Sequence, residues 1–375
     1  MPRKGFGEFA HRGRFYRARS RGTLRHCGAL RTAPMMRPPG SSIEDMRRLD
    51  SAQLAAATDR ASIQLTLAGP GSGKTSTLAG RFVHLIRQGV DPARILAVTF
   101  TKKAADEMRR RIVRLLELPS PSSPHVMTFH AFAFRQLRRN PGMAGPPERF
   151  QFWDAAEQRQ VFSSRRMWWN EETDILDIIG GAKERLMDAP SFAAAIDPED
   201  EVLVEAVKYF EVYEQALRDA CAIDFADMVP RVVKAMTENE SYRRSITSAY
   251  DHVLLDEYQD INPGQVGLID HFVNDGVRLW AVGDDDQTLY AFRASDVRYI
   301  LEFTKKYLAA TVHVLDRNYR SCPDIVLAAK RLIRHNGSAL TRTISRHSPS
   351  RVNWSSEGIR RRKSKRGRLG APSPT

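Results

Sequence analysis

The chain has 375 residues, enough for about two domains, and its 42% hydrophobic and 27% charged residues are ordinary for a soluble globular protein. Its formal net charge is +14, but residues 1–45 hold ten Lys or Arg against three acids and residues 341–375 ten against one, so the stretch 46–340 is close to −2. Overall charge is therefore no evidence for nucleic-acid binding. The three scattered cysteines exclude a disulfide framework and suit a cytoplasmic setting. No apolar run of about 18 residues is present, which excludes a transmembrane helix and a membrane partner.

Residues 1–45, rich in Arg, Gly and Pro without apolar periodicity, read as a disordered basic leader. From Asp50 the pattern alternates short apolar runs with amphipathic ones. Ile63–Ala68 predicts a buried strand, then a Gly-rich loop and a helix from Lys74 to Gln88. Strands are predicted at Ile95–Thr99 and His125–Thr128, with helices over Lys102–Leu116 and up to Arg138. Between Pro141 and Ala222 strands disappear, and helices are predicted over Trp153–Arg166, Asp174–Met187 and Glu201–Ala220. Strands resume at His252–Asp256, Arg278–Val282 and Thr311–Leu315. Continuous apolar strands alternating with helices predict an α/β fold with a parallel sheet covered on both faces. The expected organisation is an α/β domain in two parts, 46–140 and 223–336, with a helical insertion over 141–222. A disordered basic tail is expected over 337–375.

The loop Gly69-Pro70-Gly71-Ser72-Gly73-Lys74-Thr75 follows a strand and opens a helix, the context of a phosphate-binding loop. Its glycines let backbone N–H groups approach phosphates, Lys74 reaches the β- and γ-phosphates, and the Thr75 hydroxyl ligates magnesium. The expected ligands are ATP and Mg²⁺. At the end of the strand Val253-Leu254-Leu255, Asp256 fits a magnesium ligand and Glu257 a base that polarises the attacking water. Solvated strand-end acids are the alternative. Gln287, after Asp284-Asp285-Asp286, fits a γ-phosphate sensor. Tyr290, Phe292 and Arg293 suit base stacking in single-stranded nucleic acid, with core packing as the competing reading. Phe100, Thr101 and Lys102, with His130 one strand later, suit a strand-end surface for phosphates and bases. A structural role competes for His130.

Taken together, these segments resemble the superfamily 1 helicases of the UvrD/Rep type. The matches keep that family's motif order: Leu49-Asp50-Ser51-Ala52-Gln53, Ala68–Thr75, Ala97–Ala105, Thr128-Phe129-His130, Leu255–Asp260, Val282–Arg293 and Asn318-Tyr319-Arg320-Ser321. Phe150–Asp154 and Asp224-Phe225-Ala226-Asp227 resemble patterns bordering the family's helical accessory domain. The resemblance covers about Asp45 to Asn336. It implies a RecA-like P-loop NTPase domain, ATP hydrolysis, and 3′-to-5′ translocation on single-stranded DNA or a 3′-tailed duplex. Residue by residue, it implies that Gln53 reads adenine, Tyr319 stacks on it, and Arg320 contacts the γ-phosphate. Phe100, Tyr290 and Phe292 would be stacking platforms on DNA.

Two departures accompany the match. Ser76 stands where many family members carry an arginine near the adenine. Nothing after Asn336 resembles the second motor domain with motifs V and VI. The expectation is therefore a truncated helicase, with an ATP- and DNA-binding module that does not unwind as the alternative. A protein partner supplying the other motor domain is the third expectation.

Overall fold

The computed structural model describes residues 49–116, 124–140, 142–144, 149–163, 175–287, 296–333 and 345–346. Its strands are β1 (Ile63–Ala68), β2 (Ile95–Thr99), β3 (His125–Thr128), β4 (Gln151–Phe152), β5 (Ala222–Ile223), β6 (His252–Leu255), β7 (Arg278–Gly283), β8 (Thr311–Leu315), β9 (Arg317–Asn318) and β10 (Ser345–Arg346). Six of them form one sheet in the order β3-β2-β6-β7-β1-β8. Every neighbouring pair is parallel. This is the α/β fold with a parallel sheet that the apolar runs predicted.

Alternation along each strand sends side chains to two cores. Leu65, Leu67, Leu96, Val98, Val253, Leu255, Leu279 and Ala281 face one core. Ile95, Ala97, Leu254, Trp280 and Val282 face the other. Both faces are covered, which is why β2 and β6 are apolar at nearly every position. All six strands run the same way, so their C-terminal ends share one edge of the sheet, where ligands bind in folds of this kind.

The helix Ser51–Thr58 is fixed across the start of this edge. Asp50 and Gln53 form a capping box at its N-terminus. At its other end, Trp280 Nε1 and Gln64 Nε2 donate to the Ala56 carbonyl at 3.0 and 2.6 Å. Arg81 donates to the carbonyls of Ala57 and Asp59. Burial pushes the Arg81 guanidinium down to about 10. Three buried polar side chains thus hold the helix by its last turn and aim its first turn at the loop after β1.

The expectation that strands vanish over 141–222 is corrected at both of its borders. Gln151–Phe152 pairs in parallel with Ala222–Ile223, because the entering and leaving segments lie side by side and satisfy each other's backbone groups. The predicted helix from Trp153 starts later, at Ala155. Asp154 accepts from the amides of Ala156 and Glu157, while the Glu157 carboxylate accepts from Asp154 N–H. This is capping geometry, which keeps Trp153 and Asp154 outside the helix. The predicted helix to Met187 ends at Glu184, before Leu186 turns to φ 61°.

Helices Ala155–Ser163, Ile175–Glu184, Ala189–Ala195 and Glu201–Asp219 enclose their own core around Phe162, Ile179, Phe192, Phe210 and Tyr213. A buried charge cluster ties this core to the chain returning to the sheet. Lys183 Nζ lies 2.6 Å from Glu214 and 3.0 Å from both Asp224 and Asp227. Burial alone would lower the Lys183 ammonium; Asp227, Asp224 and Glu214 overcome it and hold the group above the ordinary lysine value.

Most of the expected basic tail over 337–375 lies outside the described residues. Within it, Ser345–Arg346 pairs in parallel with β9, so these two residues are not structureless as expected. The expected leader, residues 1–45, also lies outside. Among the described residues, no helix is long and apolar enough to cross a membrane.

Candidate nucleotide and nucleic-acid site

The loop between β1 and the helix Lys74–Arg87 is shaped by residues remote in sequence. Asn318 Nδ2 donates to the Pro70 carbonyl at 2.5 Å, Tyr319 N–H to the Gly71 carbonyl at 2.9 Å, and Gln53 Nε2 to the Ser72 carbonyl at 2.7 Å. Three successive carbonyls are thereby fixed, and with them the planes of the peptides that bear the loop's N–H groups. Gly71 at φ +72° shows why the residue is small: a Cβ there would sit 2.7 Å from Arg320 Cβ and 2.9 Å from Asn318 Oδ1. Ser72 Oγ closes the loop on Gly69 O at 2.7 Å.

Lys74 opens the helix and reaches across to β6, where its Nζ meets Glu257 Oε2 at 2.9 Å. Asp256 is almost fully buried at the end of β6, and its N–H is held by Val98 O at 3.0 Å. Burial, reinforced by the neighbouring Glu257, pushes its carboxyl up to about 7 against the opposing pull of Lys74. Oxygen donors at Asp256 and Thr75 suit a hard divalent cation, whose charge would offset the cost of ionising a buried carboxylate.

Glu257 adopts a left-handed backbone, φ 53° and ψ 49°. This turn aims its carboxylate back toward Lys74 and leaves it accepting from Gln259 Nε2 at 2.9 Å. Gln259 Oε1 in turn accepts from Asp284 N–H at 2.9 Å, and Asp284 Oδ2 accepts from Gln287 Nε2 at 2.5 Å. A continuous hydrogen-bonded path therefore links the two predicted catalytic residues after β6 and β7. Gly283 makes room for it, since a Cβ there would lie 2.8 Å from Gln259 Oε1. Gln259 is not among the site residues expected from the sequence.

Gln53 and Tyr319 flank the loop from the expected adenine side. The Tyr319 hydroxyl donates to Asp50, the residue that caps the Gln53 helix. Arg320 is exposed, and its N–H donates to Asn318 Oδ1 at 2.9 Å. Asn318 is buried, and the same oxygen accepts from Ser321 N–H at 2.8 Å. Asn318 therefore holds the phosphate loop with one end of its amide and the turn bearing Arg320 with the other. In the sequence this role of Asn318 leaves no trace beyond its place before Tyr319 and Arg320. Ser76, in the first helical turn, accepts from Arg111 Nη1 at 2.9 Å.

Along the same sheet edge, Phe100, Thr101 and Lys102 follow β2, and His130 lies in the first turn after β3. Thr101 Oγ1 and Thr128 Oγ1 accept from Ala104 and Ala131 N–H at 3.1 Å, starting the two helices. His130 stacks on Phe225, with ring centroids 3.8 Å apart and planes at 17°. Phe225 is 50% exposed. Phe100, His130 and Phe225 line a cleft between the sheet domain and the helical segment, with Asp177 and Asn262 also on its wall. Phe225 was not among the predicted site residues; its companion appeared only when residues 130 and 225 met in space. Tyr290, Phe292 and Arg293 lie outside the described residues.

Residues 49–308 match the UvrD/REP helicase N-terminal domain. The chain is 33% identical to the ATP-dependent DNA helicase PcrA of Leuconostoc citreum over 287 residues, 75% of this chain and 38% of that protein. It is 34% identical to the ATP-dependent DNA helicase UvrD1 of Mycobacterium leprae over 310 residues, 77% and 40% of the two chains. It is 32% identical to PcrA of Bacillus subtilis over 281 residues, 73% and 38%. The matched part thus spans about two fifths of the length of these relatives.

Proposed function

Because the chain belongs to the UvrD/REP helicase family, we propose that these residues bind ATP with Mg²⁺ and single-stranded DNA. Residues 46–140 and 223–336 would be the nucleotide-binding half of a motor, and 141–222 its inserted helical domain. The motor as a whole would couple ATP hydrolysis to 3′-to-5′ translocation and strand separation.

The observation that carries this reading is the clasp at the loop. Gln53, Asn318 and Tyr319 converge on three consecutive carbonyls, and Lys74 meets Glu257 at the same edge. Residues far apart in sequence converge on the loop where, in this reading, a triphosphate would lie. Lys74 would neutralise the β- and γ-phosphates, and backbone N–H groups of the loop would cradle them. Thr75 and Asp256 would hold Mg²⁺, which when bound offsets phosphate charge. Glu257 would orient a water molecule in line with the γ-phosphorus and draw off its proton, while the bond to the leaving oxygen of ADP breaks. Arg320 would stabilise the charge on the transferring group. Gln287, tied to Glu257 through Asp284 and Gln259, would sense the γ-phosphate. Tyr319 and Gln53 would receive the adenine.

The cleft between the sheet and the helical segment supports the DNA reading. Phe100, His130 and Phe225 offer aromatic faces for bases, each worth roughly 1–3 kcal/mol when stacked. Thr101 and Lys102 would meet phosphates. Tyr290, Phe292 and Arg293 would extend the platform. The test uses tailed duplexes. The purified protein should bind a 3′-tailed duplex with an affinity that changes on adding ATP and Mg²⁺, and any strand displacement it supports should require the 3′ tail. Displacement from a 5′ tail alone, or DNA affinity indifferent to nucleotide, contradicts the reading.

A further inference from the structure

The helix Ile175–Glu184 belongs to the helical segment, yet it lies against the chain that re-enters the sheet domain. Asp177, Gly180, Gly181 and Glu184 line the cleft, and their spacing puts them on one face of the helix. Gly180 rests on the turn Asp224–Asp227 that follows β5: a Cβ on it would sit 3.7 Å from Ala226 Cβ. Lys183 reaches the same turn, with Nζ 3.0 Å from both Asp224 Oδ2 and Asp227 Oδ1. This turn carries Phe225, exposed and stacked on His130.

The turn is closed on itself by its two carboxylates. Asp227 N–H donates to Asp224 Oδ1 at 2.7 Å, and Asp224 N–H to Asp227 Oδ2 at 3.3 Å. The other oxygen of each carboxylate accepts from Lys183. Tyr213 Oη also donates to Asp224 Oδ2 at 2.8 Å, and Arg231 Nη2 to Asp227 Oδ2 at 3.2 Å. Lys183 and Tyr213 come from the helical segment, and Arg231 comes from the helix Met228–Glu238 of the sheet domain. Both ends of the turn are thus held from both domains, and the Phe225 ring is the part that faces the cleft.

Apolar packing would join these segments at least as strongly, because buried ions offset their desolvation only in good geometry. What the ions add is direction: a buried charge that loses its partners has no second arrangement of comparable energy. We propose that Lys183 is a positioning residue of the nucleic-acid site, locking the Asp224–Asp227 turn so that Phe225 stands against His130 and presents a fixed aromatic face to a base of single-stranded DNA. A ring already held in place leaves little ordering cost to be met on binding. Lys183 itself is 4% exposed, so it acts through Phe225 and not by attracting phosphates. The inference rests on the nucleic-acid reading above and gives the helical segment a part in it that touches no DNA.

Equilibrium binding of the full chain to a labelled oligothymidylate and to an abasic strand of the same length tests it. Phe225→Ala should weaken oligothymidylate about tenfold, as loss of one stacked base does, and Lys183→Met should do nearly the same. In the double variant the two losses should not multiply, because Lys183 acts through the ring. Each variant should bind the abasic strand and a fluorescent ATP analogue within about twofold of the unsubstituted protein, since neither offers a base to the cleft. Thermal melting checks that each variant is folded. Should Lys183→Met unfold, Tyr213→Phe carries the comparison, with a loss of about threefold on oligothymidylate that disappears in the Phe225→Ala background. Losses that multiply in the double variant, equal weakening on both strands, or oligothymidylate binding unchanged by Phe225→Ala or by the folded partner variant would overturn the assignment while leaving DNA binding itself intact. Failure of the unsubstituted protein to bind oligothymidylate would overturn the nucleic-acid reading, and the assignment with it.

Discussion

Lys74 and Glu257 meet at 2.9 Å although one opens the helix after β1 and the other follows β6. The parallel sheet makes this contact possible, because β1 and β6 flank β7 and all three end on one edge. The left-handed turn at Glu257 then directs its carboxylate toward the lysine instead of along the strand. In the proposed site the pair would place a cation for phosphate beside a base for water, the arrangement phosphoryl transfer to water requires.

Glu257→Gln separates binding from hydrolysis. The amide keeps the shape and a hydrogen bond but cannot take a proton. ATP affinity should stay within about threefold, while hydrolysis stimulated by single-stranded DNA falls by about 10²–10⁴, the range for losing a general base. Steady-state phosphate release together with equilibrium nucleotide binding measures both. A parallel loss of binding and turnover would place Glu257 in the fold rather than the chemistry.

Asn318→Ala removes both ends of the clasp at once. Pro70 O loses its donor, and the Arg320 and Ser321 amides lose their acceptor, in a buried place. Stability should fall by roughly 1–3 kcal/mol, and ATP should bind less tightly. Asn318→Asp should spare the acceptor side but repel the Pro70 carbonyl, so its nucleotide affinity should fall with a smaller loss of stability. Denaturant unfolding and nucleotide titration compare the two variants.

Lys183→Met leaves Glu214, Asp224 and Asp227 as an uncompensated buried acidic cluster. A loss of about 3–5 kcal/mol is expected, as for breaking a buried ion cluster by removing one partner. The denaturation midpoint should drop accordingly. A surface lysine such as Lys234, paired at 3.8 Å with Glu238 in solvent, should show almost no effect when changed in the same way.

The contribution of His252 to stability is lost in acid, opposed over the same range by Asp256, whose raised carboxyl favours the fold as it takes up its proton. Burial, with Arg81 and Arg278 adding to it, pushes the His252 imidazole from the usual 6.5 down to about 4. His84, His125 and His271 are also lowered, chiefly by burial. A depressed histidine is neutral in the fold and takes up its proton sooner in the unfolded chain. Its contribution is complete above pH 6.5 and is lost as the pH falls toward 4. The difference in melting temperature between the unsubstituted protein and His252→Gln should therefore narrow as the pH falls from 7 to 5. An unchanged difference would contradict the assignment.

The parts of the site legible in the sequence were those whose chemistry demands particular residues in a row. The phosphate loop and the acids after β6 stand out because backbone approach and metal ligation restrict residue choice locally, whereas Asn318-Tyr319-Arg320 is legible only through the family resemblance. The strands of the sheet were legible for a similar reason, since burial on both faces leaves few polar positions. Contacts across the fold were not legible. Nothing local distinguishes Arg111 from Arg110, or marks Phe225 as the ring that will lie on His130. Gln259 reads as one polar residue among several until β7 brings Asp284 to it. Lys183 looks like a helical surface lysine until three acids from two other segments enclose it. The strand pairing of β4 with β5 was missed because two residues carry too little alternation to reveal a strand.

The central claim is that this edge of the sheet binds ATP through the loop that Lys74 closes. Equilibrium titration of the purified protein and of Lys74→Ala with a fluorescent ATP analogue in Mg²⁺ tests it most directly. Saturable binding by the unsubstituted protein, weakened at least about tenfold in Lys74→Ala by loss of a charge-assisted contact, is the predicted result. Equal binding by the two proteins would contradict it.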